Sequence, residues 1–200
     1  MKHIALVVGS VVSCFAFSCG GVGPEGPDVT GGGTTQARED LAIPATPECQ
    51  GVVGTWRGQV YSEPHAGYYD FTVRVSQPSA DAPELSGTIL ARSWAGATED
   101  VAPPEACNGG FHWTVVEPAV GHVADDGSLT FEGASWQVGE HFCGEEVTSY
   151  SPDKLEVVPI KDEATGRVTL SGVLTDGAVW SQTGLHIELD RVSCQAGESL

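Results

Sequence analysis

A chain of 200 residues, 40% of them apolar, is long enough for one domain with an ordinary core and a tail. Its 26 Gly and 12 Pro against 18% charged residues predict a turn-rich, helix-poor fold. A formal charge of −18, from 27 acids and nine bases, excludes a nucleic-acid partner and argues against charge-driven docking on an anionic lipid surface, because both need clustered Lys and Arg.

The chain opens with Lys2 and a mostly apolar run over residues 4–17, of signal-peptide length and too short to cross a bilayer. The run closes on Ser18-Cys19-Gly20-Gly21. A small residue before a Cys at this place resembles the lipobox of bacterial lipoproteins. The resemblance implies that the Cys is acylated and becomes the new N-terminus, which holds the protein on a membrane of the cell envelope. Val11-Val12-Ser13-Cys14 matches the aliphatic preference of the lipobox better than Ala16-Phe17-Ser18-Cys19 does. Cys19 is nonetheless the expected acceptor, with Cys14 the alternative. It leaves a full apolar run before the cleavage point and an even number of cysteines after it. Gly20, where an Asp would mark inner-membrane retention, implies the outer membrane. An ordinary cleaved secretory signal is the other reading.

Residues 20–48 carry seven Gly and four Pro with no apolar period, and read as a flexible linker. A Gly-rich coil of that length reaches ~30 Å, enough to hold a domain clear of a lipid surface. The expected organisation is a signal peptide over 1–18, a lipidated N-terminus and linker over 19–48, and a folded domain over 49–200. Gly21-Val22-Gly23-Pro24-Glu25-Gly26 spells GxGxxG, but without a strand before it and a helix after it the amides do not converge on a phosphate.

From residue 52 onward the apolar residues alternate with period two. Strands are expected over 52–62, 67–77, 84–93, 108–124, 128–143, 154–160, 167–176 and 184–194. A long loop over 94–106 follows the third, and Asp125-Asp126-Gly127 turns the fourth into the fifth. In the fifth, the inward set changes parity between Phe131 and Trp136, continuing through Val138 and Phe142. A bulge at Gly133-Ala134 is the expected cause. Eight antiparallel strands joined by hairpin-length loops predict an all-β, eight-stranded up-and-down barrel, with a two-sheet β-sandwich as the alternative.

Four cysteines follow the linker, and an oxidising envelope pairs them. Reflecting the fourth and fifth strands about Asp126 sets Cys107 near Cys143. The remaining pair, Cys49 with Cys194, joins the start of the first strand to the end of the eighth, which are antiparallel neighbours in a closed barrel. No CxxC spacing points to a metal site.

Gly54-Thr55-Trp56 on the first strand resembles the GxW signature of calycin barrels, the lipocalin, fatty-acid-binding and avidin group. In that group a basic residue on the last strand packs across the Trp, and Arg191 stands where that residue would. The resemblance therefore implies a barrel floor built on Trp56 and Arg191. Interior candidates for an apolar ligand are Trp56, Tyr69, Phe71, Trp113 and Trp136, unless these fill a solid core. The loops of the opposite end carry His65, Trp94, Glu99, Asp100, Glu145, Glu146, Tyr150 and Trp180, a rim of aromatics and acids suited to a protein partner or ligand.

No GxSxG, HExxH or triad spacing occurs, so no catalytic residue and no cofactor are assigned. His141 beside Glu140, Glu145 and Glu146 is the nearest approach to acid–base or metal-assisted hydrolase chemistry. The expected function is a monomeric, lipid-anchored binding module of the envelope. Its expected partners are a small apolar ligand or an envelope protein. The alternative is a structural lipoprotein with a solid core and no ligand.

Overall fold

The computed structural model describes Cys49, residues 51–176 and residues 184–195. Cys14, Cys19, the linker and Trp180 lie outside these residues. The described chain forms nine strands: β1 (Gly54–Ser62), β2 (Gly67–Ser76), β3 (Glu84–Ala95), β4 (His112–Val123), β5 (Leu129–Gly133), β6 (Gln137–Cys143), β7 (Asp153–Lys161), β8 (Val168–Asp176) and β9 (Leu185–Ser193). One 3-10 turn, Glu63–His65, links β1 to β2, and among the described residues there is no α-helix.

Eight strands close into an antiparallel barrel in the order β1-β2-β3-β4-β5-β7-β8-β9, with β9 returning to β1. The architecture is thus a barrel and not a sandwich. Closure pairs every strand of the ring on both sides, so the ring itself offers no edge strand. β6 is the ninth strand, and among the described residues it pairs only with β4.

The expected fifth strand is therefore two strands. The parity change predicted at Gly133-Ala134 is a departure from the ring rather than a simple bulge. β5 ends at Gly133, residues 134–136 break the ladder, and β6 leaves the barrel along the upper half of β4. Phe142 consequently faces outward, against the inward placement expected of it, and stacks on His112 with ring centroids 4.1 Å apart. β4 begins at His112 rather than at 108, so Cys107 sits in the preceding loop.

The alternation fixes which side chains fill the barrel. Trp56 on β1, Phe71 and Val73 on β2, Ile89 and Ala91 on β3, Val115 on β4, Phe131 on β5, Leu155 on β7 and Ile187 and Leu189 on β9 are all buried. Register sets large residues against small ones across neighbouring strands: Gly58 opposite Phe71, and Phe71 opposite Ala91. Zero exposure at Trp56, Phe71, Ile89 and Leu189 leaves no water-sized space against them, so the centre of the barrel is filled. Each such residue contributes about 1.5–3 kcal/mol by leaving water.

At the floor, Gly54 takes φ +141°, and a Cβ there would lie 2.4 Å from the Ser193 carbonyl oxygen. The missing side chain lets β9 close onto β1. The cysteine pairs Cys49–Cys194 and Cys107–Cys143 are bonded, with Cα separations of 5.0 and 6.1 Å. The first clamps the seam where the chain enters the barrel. The second ties the loop before β4 to the end of β6.

Candidate functional site

The departure of β6 opens a split in the wall at the end of the barrel opposite the floor. β4 pairs with β6 as far as Val116 and with β5 from Ala119, so Glu117 and Pro118 bridge the switch. Pro118 has no N–H to leave unpaired, and its carbonyl accepts the Ala134 N–H at 2.8 Å. Glu117 follows the inward parity of β4 and is fully buried. Its Oε2 accepts the Asp153 backbone N–H at 2.9 Å, which caps the start of β7 where β5 has already ended. A Cβ on Gly133 would stand 2.0 Å from that oxygen, so glycine here leaves the carboxyl its present place.

A second acid completes the pair. The Asp153 carboxyl is within hydrogen-bonding reach of Glu117, and burial together with the Asp153 charge pushes the Glu117 pKa up to about 9. Glu117 therefore holds a proton at neutral pH. Its Oε1 meets no donor among the described groups. The proton that Glu117 holds, set between it and Asp153, the neighbouring Tyr150 hydroxyl, or a donor brought by a ligand can satisfy that oxygen. Tyr150 donates its hydroxyl to Asp153 Oδ2 at 2.6 Å. Burial raises the phenol pKa, and the two carboxyls raise it further, so Tyr150 keeps its proton to donate.

Aromatic rings wall this acid pair. Tyr150 sits between Trp113, at 5.7 Å and edge-on, and Trp136, at 5.9 Å. Both indoles are partly open to solvent while the carboxyls beneath are buried. Phe111 stacks on Trp113 at 6.2 Å. From these two rings a groove of about 530 Å³ runs past Glu145 and Glu146 to Ser149. Trp113, Glu145 and Glu146, all expected ligand or rim residues, thus line one groove, while Trp136, also expected there, packs on Tyr150 instead. Tyr69 is half-buried near Tyr150, with the His65 ring 6.5 Å from its own. Phe71 belongs to the filled core.

Trp94, Glu99 and Asp100 stand elsewhere, which corrects the expected rim. β3 continues to Ala95, and this parity turns Trp94 to the outer face, where it is 1% exposed. It stacks on Tyr68 at 5.5 Å, and its indole N–H donates to the Asp100 carbonyl at 3.0 Å. Gln59 donates to the Val101 carbonyl at 2.8 Å, and Tyr68 to that of Thr98. The loop after β3 is therefore pinned to the outside of the barrel and does not close its mouth. Trp180 lies outside the described residues.

The central members of the site, Glu117, Asp153 and Tyr150 in this role, had a sequence signal only at Glu117. It is an acid on the inward parity of an otherwise apolar strand. Among the described residues no three His, Cys, Asp or Glu converge to hold a metal ion, and His141 is exposed. Comparison with protein-family models, curated proteins and solved structures gives no match to this chain.

Proposed function

We propose that this chain is an envelope lipoprotein, anchored through Cys19, whose barrel is a binding module with its site at the β5–β7 split. The observation that carries the reading is the buried acid pair of Glu117 and Asp153, with one Glu117 oxygen that meets no donor among the described groups, next to Tyr150 and the partly open indoles of Trp113 and Trp136. Buried polar atoms are almost always paired, and a carboxyl oxygen without a donor, close to an aromatic-lined groove, favours a place for a ligand's donor. Asp153, the groove acids Glu145 and Glu146 and the −18 charge of the chain all favour a cationic head. Indole faces favour the same head through cation–π attraction. The ligand is an organic ammonium or a basic side chain of a peptide. It seats its cation at the acid pair and its remainder along the groove. An apolar ligand inside the barrel is not part of this reading, because side chains occupy that volume.

The test of binding is a thermal-shift and calorimetric titration of the full chain with benzylammonium, alongside neutral benzyl alcohol. Saturable binding of the amine alone supports the site, and equal responses to both compounds count against it. The anchor is tested separately, by intact mass after expression in a lipoprotein-competent host. An acylated Cys19 supports it, and an unmodified N-terminus at that point removes it.

A second reading, a structural lipoprotein without a small ligand, is favoured by the filled core. In that case the acid pair only replaces ladder hydrogen bonds lost at the split, and no amine binds.

A further inference from the structure

The nine Lys and Arg of this acidic chain are not evenly spread. Three of them, Lys161, Arg167 and Arg191, line one hollow of about 490 Å³ at the barrel floor, together with Cys49, Gly51 and Val168. They come from different elements. Lys161 ends β7, Arg167 closes the turn before β8, and Arg191 lies on β9. The turn itself is held by the Asp162 N–H to the Arg167 carbonyl at 2.8 Å, which fixes the spacing of the two flanking cations.

The local carboxylates neutralise this set only in part, at Arg167. Asp190 takes Arg167 at 2.5 Å and also accepts the Thr169 hydroxyl at 3.2 Å. Asp162 accepts the backbone N–H groups of Ala164 and Thr165 at 2.8 and 3.3 Å within its own hairpin, and its charge reaches Arg167. Glu163 is exposed on the same turn. Lys161 has no ion-pair partner among the described residues. Arg191 has none either. It is half-buried over Trp56, one terminal N–H donates to the Gly51 carbonyl, and among the described residues its Nε–H is enclosed without an acceptor. A partly desolvated guanidinium whose partners are an indole and a neutral carbonyl keeps its full charge uncompensated.

We infer that the floor hollow is an anion site for a phosphate group, held by Lys161 and Arg167 from the turn and by the open edge of the Arg191 guanidinium. Lys161 and Arg191, which have no ion-pair partner among the described residues, and Arg167, which shares itself with Asp190, approach from three elements and suit a tetrahedral phosphate oxyanion, whose oxygen spacing guanidinium forks match. The phosphate is either that of a lipid headgroup or a soluble one. The chain enters the barrel at Cys49 beside this hollow, so a tethered protein has both within reach. The inference does not depend on the amine site at the opposite end.

Calorimetric titration of the full chain tests it, with inorganic phosphate in one arm and short-chain phosphatidylglycerol below its micelle threshold in the other. Phosphatidylcholine and chloride at matched ionic strength are the controls. Saturable binding of phosphate identifies a soluble-oxyanion site. Binding of phosphatidylglycerol alone identifies a headgroup site. In either case Lys161→Gln with Arg167→Gln raises the dissociation constant by at least about tenfold, while both positions are exposed enough to leave the melting temperature in place. Absence of binding in both arms, a chloride response of equal size, or undiminished binding by the double variant overturns the inference.

Discussion

The guanidinium carbon of Arg191 lies 4.3 Å from the centre of the Trp56 ring, and the two residues are also register partners across the β1–β9 seam. The indole N–H donates to the Val52 carbonyl at 2.9 Å, which fixes the ring in the plane that Arg191 covers. The floor is thus a stack of backbone, indole and guanidinium. Trp56→Ala should cost about 3–5 kcal/mol. Arg191→Gln should cost about 1–2 kcal/mol. A double-mutant cycle in urea should return about 0.5–2 kcal/mol of coupling. A coupling of zero would mean that the two residues stabilise the floor separately.

The two disulfides close loops of very different length, with sequence separations of 145 and 36. In the chain-entropy account the longer loop contributes about 5 kcal/mol and the shorter about 4 kcal/mol. Replacing both cysteines of Cys49–Cys194 with Ser should therefore lower unfolding free energy more than replacing those of Cys107–Cys143. Equilibrium denaturation of the two double variants measures the difference. The opposite order would show that the β6 tie, not the seam, holds the barrel.

Glu117 sets a pH dependence with a definite sign. Its folded pKa, near 9, is above the unfolded value of about 4.3, so the folded state binds the proton more tightly. Its stabilising contribution is complete below about pH 4.3 and is lost as pH rises toward 9, by up to about 1.4 kcal/mol per pH unit. Glu117→Gln removes that proton linkage and keeps the shape. The stability difference between variant and parent should grow in the variant's favour from pH 5 to pH 8. A difference independent of pH would place the proton elsewhere.

His112 carries the opposite sign. Burial and the neighbouring Arg92 lower its pKa, and Arg92 Nε donates to its Nε2 at 3.0 Å, which requires the neutral ring. The contribution of His112 is present above the unfolded value of about 6.5 and declines as pH falls through it. His112→Gln should lose stability at pH 7.5 and flatten the parent's decline between pH 7 and pH 5. An unchanged slope would show that another group titrates there.

The barrel was legible because β1, β2, β3, β8 and β9 alternate cleanly, so strand count and parity determine closure. The split was legible only as a parity change between Phe131 and Trp136. Period two records that a strand slips, not that it leaves the ring. Trp94 was set in a loop because the third strand was ended at Ser93. Two more residues of the same parity turn it outward beneath Asp100. Tyr150 lies in a stretch with no period at all, and its role depends on contacts with Trp113 and Asp153 that are distant in the chain. The basic floor hollow was hidden for a different reason. A net charge of −18 describes the whole surface and does not register three cations brought together by β7, β8 and β9.

The central claim is that the acid pair at the split is a ligand site and not only a patch in the wall. Benzylammonium binding to three proteins, the parent, Glu117→Gln and Trp136→Ala, tests it most directly. The account predicts saturable binding by the parent, weakened at least about tenfold in each variant, with every protein folded by circular dichroism. No binding by the parent, or equal binding by all three, would contradict it.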